Sequence, residues 1–147
     1  MKPFTYYLRV RYGECDAQKV VFNARYADYV DVAVNEFIRA IGYSDALING
    51  DLDFQLVKQT VEWKGPARYD QVLELSMQTM RLGTTSFTVS VEFRIAGDDR
   101  IIVTVETVYV LMDASTLTKR PIPDAIRSAL TDGAPGRMID HAAYARA

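Results

Sequence analysis

Residues 12–26 read Tyr12-Gly13-Glu14-Cys15-Asp16-Ala17-Gln18-Lys19-Val20-Val21-Phe22-Asn23-Ala24-Arg25-Tyr26. An acid, Asp16, is followed by an apolar run, Val20-Val21-Phe22, and then by Asn23, where a helical pattern begins. A loop that only joined two elements would have no use for three apolar residues in a row. This one reads as holding a carboxylate beside a helix N-terminus, where backbone N–H groups have no intrahelical partner, in a place that is not fully wet.

Upstream, residues 4–12 alternate. Phe4, Tyr6, Leu8, Val10 and Tyr12 share one parity and Arg9 and Arg11 the other, which predicts a half-buried strand. Downstream, Tyr26, Tyr29, Val30, Ala33, Phe37, Ala40 and Ile41 recur at steps of three and four. That spacing predicts an amphipathic helix over 24–41, with Asn23 as N-cap and Gly42 just past the last turn. After a polar loop at 44–53, the period changes to two. Four strands are expected at 54–64, 70–82, 85–96 and 101–112, punctuated by Gly65-Pro66, Gly83-Thr84 and Gly97-Asp98-Asp99. A short helix over 124–130 follows Pro121 and Pro123. The order is one strand, one long helix and four long strands. It is satisfied by a five-stranded antiparallel sheet wrapped around a central helix, an α+β architecture. Residues 1–131 form the domain; 132–147, with Gly133-Ala134-Pro135-Gly136, read as a loosely held tail.

The bulk numbers narrow the function. A chain of 147 residues fits one core. The net charge of −2 gives no support for nucleic-acid binding. No apolar run approaches the length that crosses a bilayer, and the N-terminal residues read as no signal peptide. Cys15 is the only cysteine, so a reducing cytoplasm and no intrachain disulfide are expected. His141 is the only histidine and falls in the tail, where it reads as inert. A Cys/His metal cluster is excluded, and a histidine-based triad would need the tail to fold back.

The order of elements and the 12–26 stretch together resemble the 4-hydroxybenzoyl-CoA thioesterase-like family of hotdog-fold acyl-CoA thioesterases. The matching residues are Tyr12, Glu14, Asp16, Val20-Val21-Phe22, Asn23 and Tyr26. The likeness continues through Lys64-Gly65-Pro66-Ala67-Arg68-Tyr69-Asp70, Thr85-Ser86-Phe87 and Arg120-Pro121-Ile122-Pro123, about residues 4–130 in all. Lys19 stands where the family usually has glycine, and Asn23 where many members have histidine. The resemblance implies a hotdog fold and hydrolysis of a CoA or acyl-carrier thioester without cofactor or metal. It implies a cytoplasmic homodimer or homotetramer that binds neither nucleic acid nor membrane. It assigns Asp16 as general base or nucleophile and the backbone N–H of Asn23 as oxyanion hole. Val21, Phe22, Tyr26, Ser86, Lys119 and Arg120 become substrate-binding.

The chemistry suits these residues. A thiolate whose conjugate acid has a pKa of about 8.5 leaves without a strong general acid. A site with no histidine therefore needs only to activate water, or to form an acyl intermediate, and to stabilise an oxyanion. Each residue also has a plainer role. Asp16 could be a turn former, Asn23 only a cap, Tyr26 core packing, and Lys119 and Arg120 a solvated pair. Glu14 could be a second acid or a solvent-facing strand end, and Cys15 a packed bystander. Two other functions fit the fold: a non-catalytic acyl-binding or scaffold dimer, and a hydratase or dehydratase. The latter usually pairs its acid with a histidine in the core, which this chain lacks.

Overall fold

Alternation in the sequence becomes alternation across one sheet. The structure, a computed structural model, describes residues 2–50 and 52–145. Met1, Asp51 and the end of the expected tail, Arg146 and Ala147, lie outside the described residues. Strand β1 (Phe4–Arg9) precedes helix α1 (Arg25–Ala40) and the short α2 (Ser44–Asn49). Then come β2 (Leu52–Trp63), β3 (Val72–Leu82), β4 (Ser86–Ile95), β5 (Ile101–Asp113), α3 (Asp124–Asp132) and β6 (Met138–Asp140). The sheet order is β2-β5-β4-β3-β1-β6. All neighbours are antiparallel except β1 and β6, which are parallel.

The apolar parity of the strands meets the apolar stripe of α1. Leu73, Leu75 and Met77 of β3, and Phe87, Val89, Val91 and Phe93 of β4, are buried with Val103 and Val105 of β5. They pack with Tyr26, Tyr29, Val30, Ala33, Val34, Phe37 and Ile38 of α1 in one core. Aromatic pairs mark the two ends of the helix. Phe93 packs edge-on against Tyr26, near the N-terminus. Phe87 stacks on Tyr109 and meets Phe54, beside a cavity that Ile38 and Ile41 line at the C-terminus. The helix ends at Gly42, whose φ of 95° is the left-handed conformation that glycine takes without strain. There the Tyr43 N–H donates to the Ile38 carbonyl and the Gly42 N–H to the Arg39 carbonyl, closing the last turn.

Three expectations need correction. Among the described residues the sheet has six strands, not five, because the tail supplies one. Met138–Asp140 pairs with Thr5–Tyr7, and the His141 N–H donates to the Tyr7 carbonyl, so the described part of 132–147 is held to the domain. The polar loop at 44–53 contains α2. The first strand ends at Arg9 rather than continuing to residue 12, because the chain winds into a 3-10 turn at Tyr12–Glu14.

Candidate active site

Asp16 sits on a narrow hairpin. The Phe22 N–H donates to the Glu14 carbonyl, Cys15 and Val21 form an antiparallel bridge, and the Asp16 N–H donates to the Val20 carbonyl. The turn is closed by the Lys19 N–H donating to the Asp16 carbonyl and by the Gln18 N–H donating to Asp16 Oδ1 at 2.8 Å. Lys19 takes φ 62°, a left-handed conformation. The lysine therefore adopts backbone geometry that suits the usual glycine, despite its Cβ. Asp16 is thus a turn former and an exposed carboxylate at once.

The 64–71 loop grips one leg of the hairpin. Val20 bridges Arg68, the Val21 N–H donates to the Ala67 carbonyl, and the Tyr69 N–H donates to the Lys19 carbonyl. The other leg is held by Glu14, whose side chain is 14% exposed rather than solvent-facing. Its Oε1 accepts from the Tyr29 hydroxyl and the Arg11 backbone N–H, both at 2.8 Å. Its Oε2 accepts from Arg11 Nε at 3.0 Å and Nη2 at 2.8 Å. Burial alone would push the Glu14 carboxyl up, but these donors outweigh it and hold it below its ordinary value. Burial and the bond to Glu14 both push the Tyr29 hydroxyl up, so it stays a donor. The Cys15 thiol is pushed up by burial and then by Glu14 and Asp16, which fits a packed bystander.

Asn23 follows the second leg, but it is not the helix cap. The cap position is Ala24, with helical φ −70° and ψ −18°, and no side chain caps the helix. The Arg25 N–H donates to the Phe22 carbonyl, so the chain is already wound one turn early. The N–H groups of Asn23 and Ala24 have no assigned acceptor among the described residues. They lie at the positive end of α1 and on the same hairpin as Asp16. Val21 and Tyr26 are buried, whereas Phe22 is 53% exposed, so in a single chain this side of the site is open.

The remaining expected residues are elsewhere. Ser86 pairs with Val110, and Lys119 bridges Met112. The Arg120 N–H donates to the Leu111 carbonyl, which puts all three near the C-terminal end of α1. Asp113 organises that region by accepting from Ser115 and Thr116 around a tight turn. A helix of 16 residues is about 24 Å long, so within one chain these residues lie roughly a helix length from Asp16. Sequence reasoning missed the partner of Glu14. Tyr29 falls on the predicted apolar face of the helix, and nothing in that pattern shows a hydroxyl aimed at an acid 15 residues away. It also missed His141, whose Nδ1 meets the Tyr6 hydroxyl at 2.8 Å.

Residues 10–130 match the family described as the thioesterase-like superfamily. The chain belongs to that superfamily. The chain is 29% identical over 124 residues to the acyl-CoA thioester hydrolase YbgC of Escherichia coli O6:H1, covering 84% of this chain and 92% of that one. The fold is similar to that of a hypothetical protein from Aquifex aeolicus, with TM-score 0.81 and 27% identity over 88% of this chain and 100% of that one. It is also similar to a gentisyl-coenzyme A thioesterase, with TM-score 0.75 and 26% identity over 86% and 98% of the two chains. The thioesterase-like superfamily member described here has the hotdog architecture: a sheet antiparallel except at β1–β6, with one long helix packed on one face.

Proposed function

We propose that the protein is an acyl-CoA thioesterase in which Asp16 activates water and the N–H groups at the start of α1 hold the oxyanion. One observation carries this reading. An exposed carboxylate and unpartnered helix N–H groups share one hairpin that is pinned to the body on both legs. In the general-base form, Asp16 takes a proton from water, and the hydroxide attacks the thioester carbonyl carbon. The resulting oxyanion accepts from the Asn23 N–H. The C–S bond then breaks, and the CoA thiolate leaves with the electron pair and takes up a proton. In the nucleophile form, an Asp16 oxygen attacks the thioester carbonyl and expels the CoA thiolate, and water then opens the resulting anhydride at the Asp16 carboxyl carbon. A single turnover in oxygen-18 water distinguishes them, because only the second puts label into Asp16.

The assembly completes the site. Strand β2 is a free edge of 12 residues, with Leu56 51%, Val57 57% and Trp63 52% exposed. A second copy pairing antiparallel along it, about a two-fold axis near Val57 and Lys58, would cover this edge. Trp63 lies at the Asp16 end of the sheet and Leu52 at the Lys119 end. Such pairing brings the second copy's Ser86, Lys119 and Arg120 toward this copy's Asp16, where the phosphates of CoA would need positive charge. The single cysteine fits a reducing compartment such as the cytoplasm.

The test is turnover of short-chain, long-chain and aryl CoA thioesters, followed by thiol release, in the wild type and in Asp16→Asn. Turnover of at least one class, lost in the variant, supports the reading. A wild type that binds acyl-CoA without turnover makes it a binding protein instead.

A further inference from the structure

We infer that Glu14 and Tyr29 are positioning residues, which fix the Asp16 hairpin to α1 and so set the spacing between the carboxylate and the oxyanion donors. This rests on the reading of Asp16 as base or nucleophile. Two groups on one exposed hairpin cannot keep a reactive geometry unless something rigid holds both. The 64–71 loop holds only the Lys19–Val21 side. Glu14 holds the other side, and does so twice. Its carbonyl accepts from the Phe22 N–H, next to Asn23, and its carboxylate accepts from the Tyr29 hydroxyl. Tyr29 is itself immobile. It stands on α1, is buried, and packs edge-on against Tyr26 and obliquely against Phe93.

The path from helix to chemistry is therefore short: Tyr29 hydroxyl, Glu14 carboxylate, then two residues of main chain to Asp16 in one direction and one hydrogen bond to Phe22 in the other. All four donors to the Glu14 carboxylate come from Arg11 or Tyr29. The ion pair with Arg11 keeps Glu14 charged. A cavity of about 300 Å³ lies behind this network, lined by Leu8, Val32, Tyr6, Tyr29 and His141 as well as Glu14 and Arg11. The network thus has open space on one side, and no packing would replace a lost hydrogen bond.

Tyr29→Phe removes one oxygen and leaves the ring contacts. kcat is expected to fall between about 10- and 100-fold with KM within about threefold, the pattern of a misplaced catalytic group rather than a lost binding contact. In an Asp16→Asn background the same change should slow the enzyme by a smaller factor, because one of the two groups whose spacing it sets is gone. Backbone amide exchange gives an arm independent of activity. The Asp16, Lys19 and Phe22 amides should lose protection while those of β3, β4 and β5 keep theirs. Glu14→Gln, which keeps an acceptor for Tyr29, should fall between the wild type and Tyr29→Phe, and it serves as the test if Tyr29→Phe does not fold. The inference is overturned if Tyr29→Phe keeps kcat within twofold, or slows the Asp16→Asn enzyme by the same factor as the wild type. Should Asp16→Asn itself keep full activity, the catalytic reading falls. The exchange arm then decides the positioning role alone: lost protection upholds it and unchanged protection overturns it.

Discussion

Asp16→Asn keeps the shape of the side chain, and its amide oxygen can still accept from Gln18. Only the charge is lost. If the carboxylate is base or nucleophile, kcat falls by about 10²–10⁴ while KM changes little; a folded variant retaining more than a tenth of wild-type kcat makes Asp16 a turn residue only. Asn23→Ala reads differently from what a helix cap would give. Its side chain makes no capping bond, so calorimetry should show a loss under about 0.5 kcal/mol. Activity should persist, since alanine keeps the backbone N–H. Glu14 carries a pH signature. Its folded carboxyl titrates below the ordinary 4.5, so its contribution to stability is complete above that value and is lost as pH falls through the lower, folded one. The Tm difference between the wild type and Glu14→Gln should therefore be flat above about pH 5 and shrink below it; a difference that grows in acid would reverse the assignment. The place of Asp16, on a hairpin just before α1, was legible in the sequence because an acid, an apolar run and a helix start lie within a dozen residues. The Glu14–Tyr29 bond was not, since it joins a loop to a helix face that periodicity marks only as apolar.

At the scale of elements, what the sequence exposes depends on length. Four strands of 10 to 13 residues and one helix of 16 repeat their period several times, and their bounds fall within a few residues of expectation. The three-residue β6 and six-residue α2 complete too few periods to be read. Local chemistry also fixes the ends of α1 unequally. Gly42 was legible because only the end of a helix explains a glycine there. Gly42→Ala should cost about 1–2 kcal/mol, from backbone strain alone, since a Cβ there meets no atom within 4 Å. Chemical denaturation reads the loss, and an unchanged midpoint would mean the turn relaxes. The start of α1 was misread by one residue, because Asn23 is a good cap by type but the chain already turns at Phe22–Arg25 without a side-chain cap.

The whole molecule was legible as a class, a sheet around a helix, from the order of its elements. Strand neighbours such as β5 beside β2 join residues 40 to 61 positions apart, from Trp63 with Val103 to Leu52 with Asp113, and no local pattern encodes that pairing. The exposed edge of β2 is where that topology has consequences. Val57→Glu places a carboxylate near the proposed two-fold axis, opposite its own copy, where like charges repel. Val57 is exposed, so the single chain should fold normally. Sedimentation should then show a monomer at micromolar concentration, and kcat should fall with it if the site is shared; an unchanged dimer would place the interface elsewhere.

The three residues of β6 decide how far such assembly can run. A sheet with two free margins is a building block without a stopping rule, since every copy added offers the next one a place to join. Here the chain's own C-terminal segment lies along β1 and occupies part of the second margin. If copies join through β2 as proposed, the second margin offers only a three-residue strand to a further copy, which favours pairs over chains.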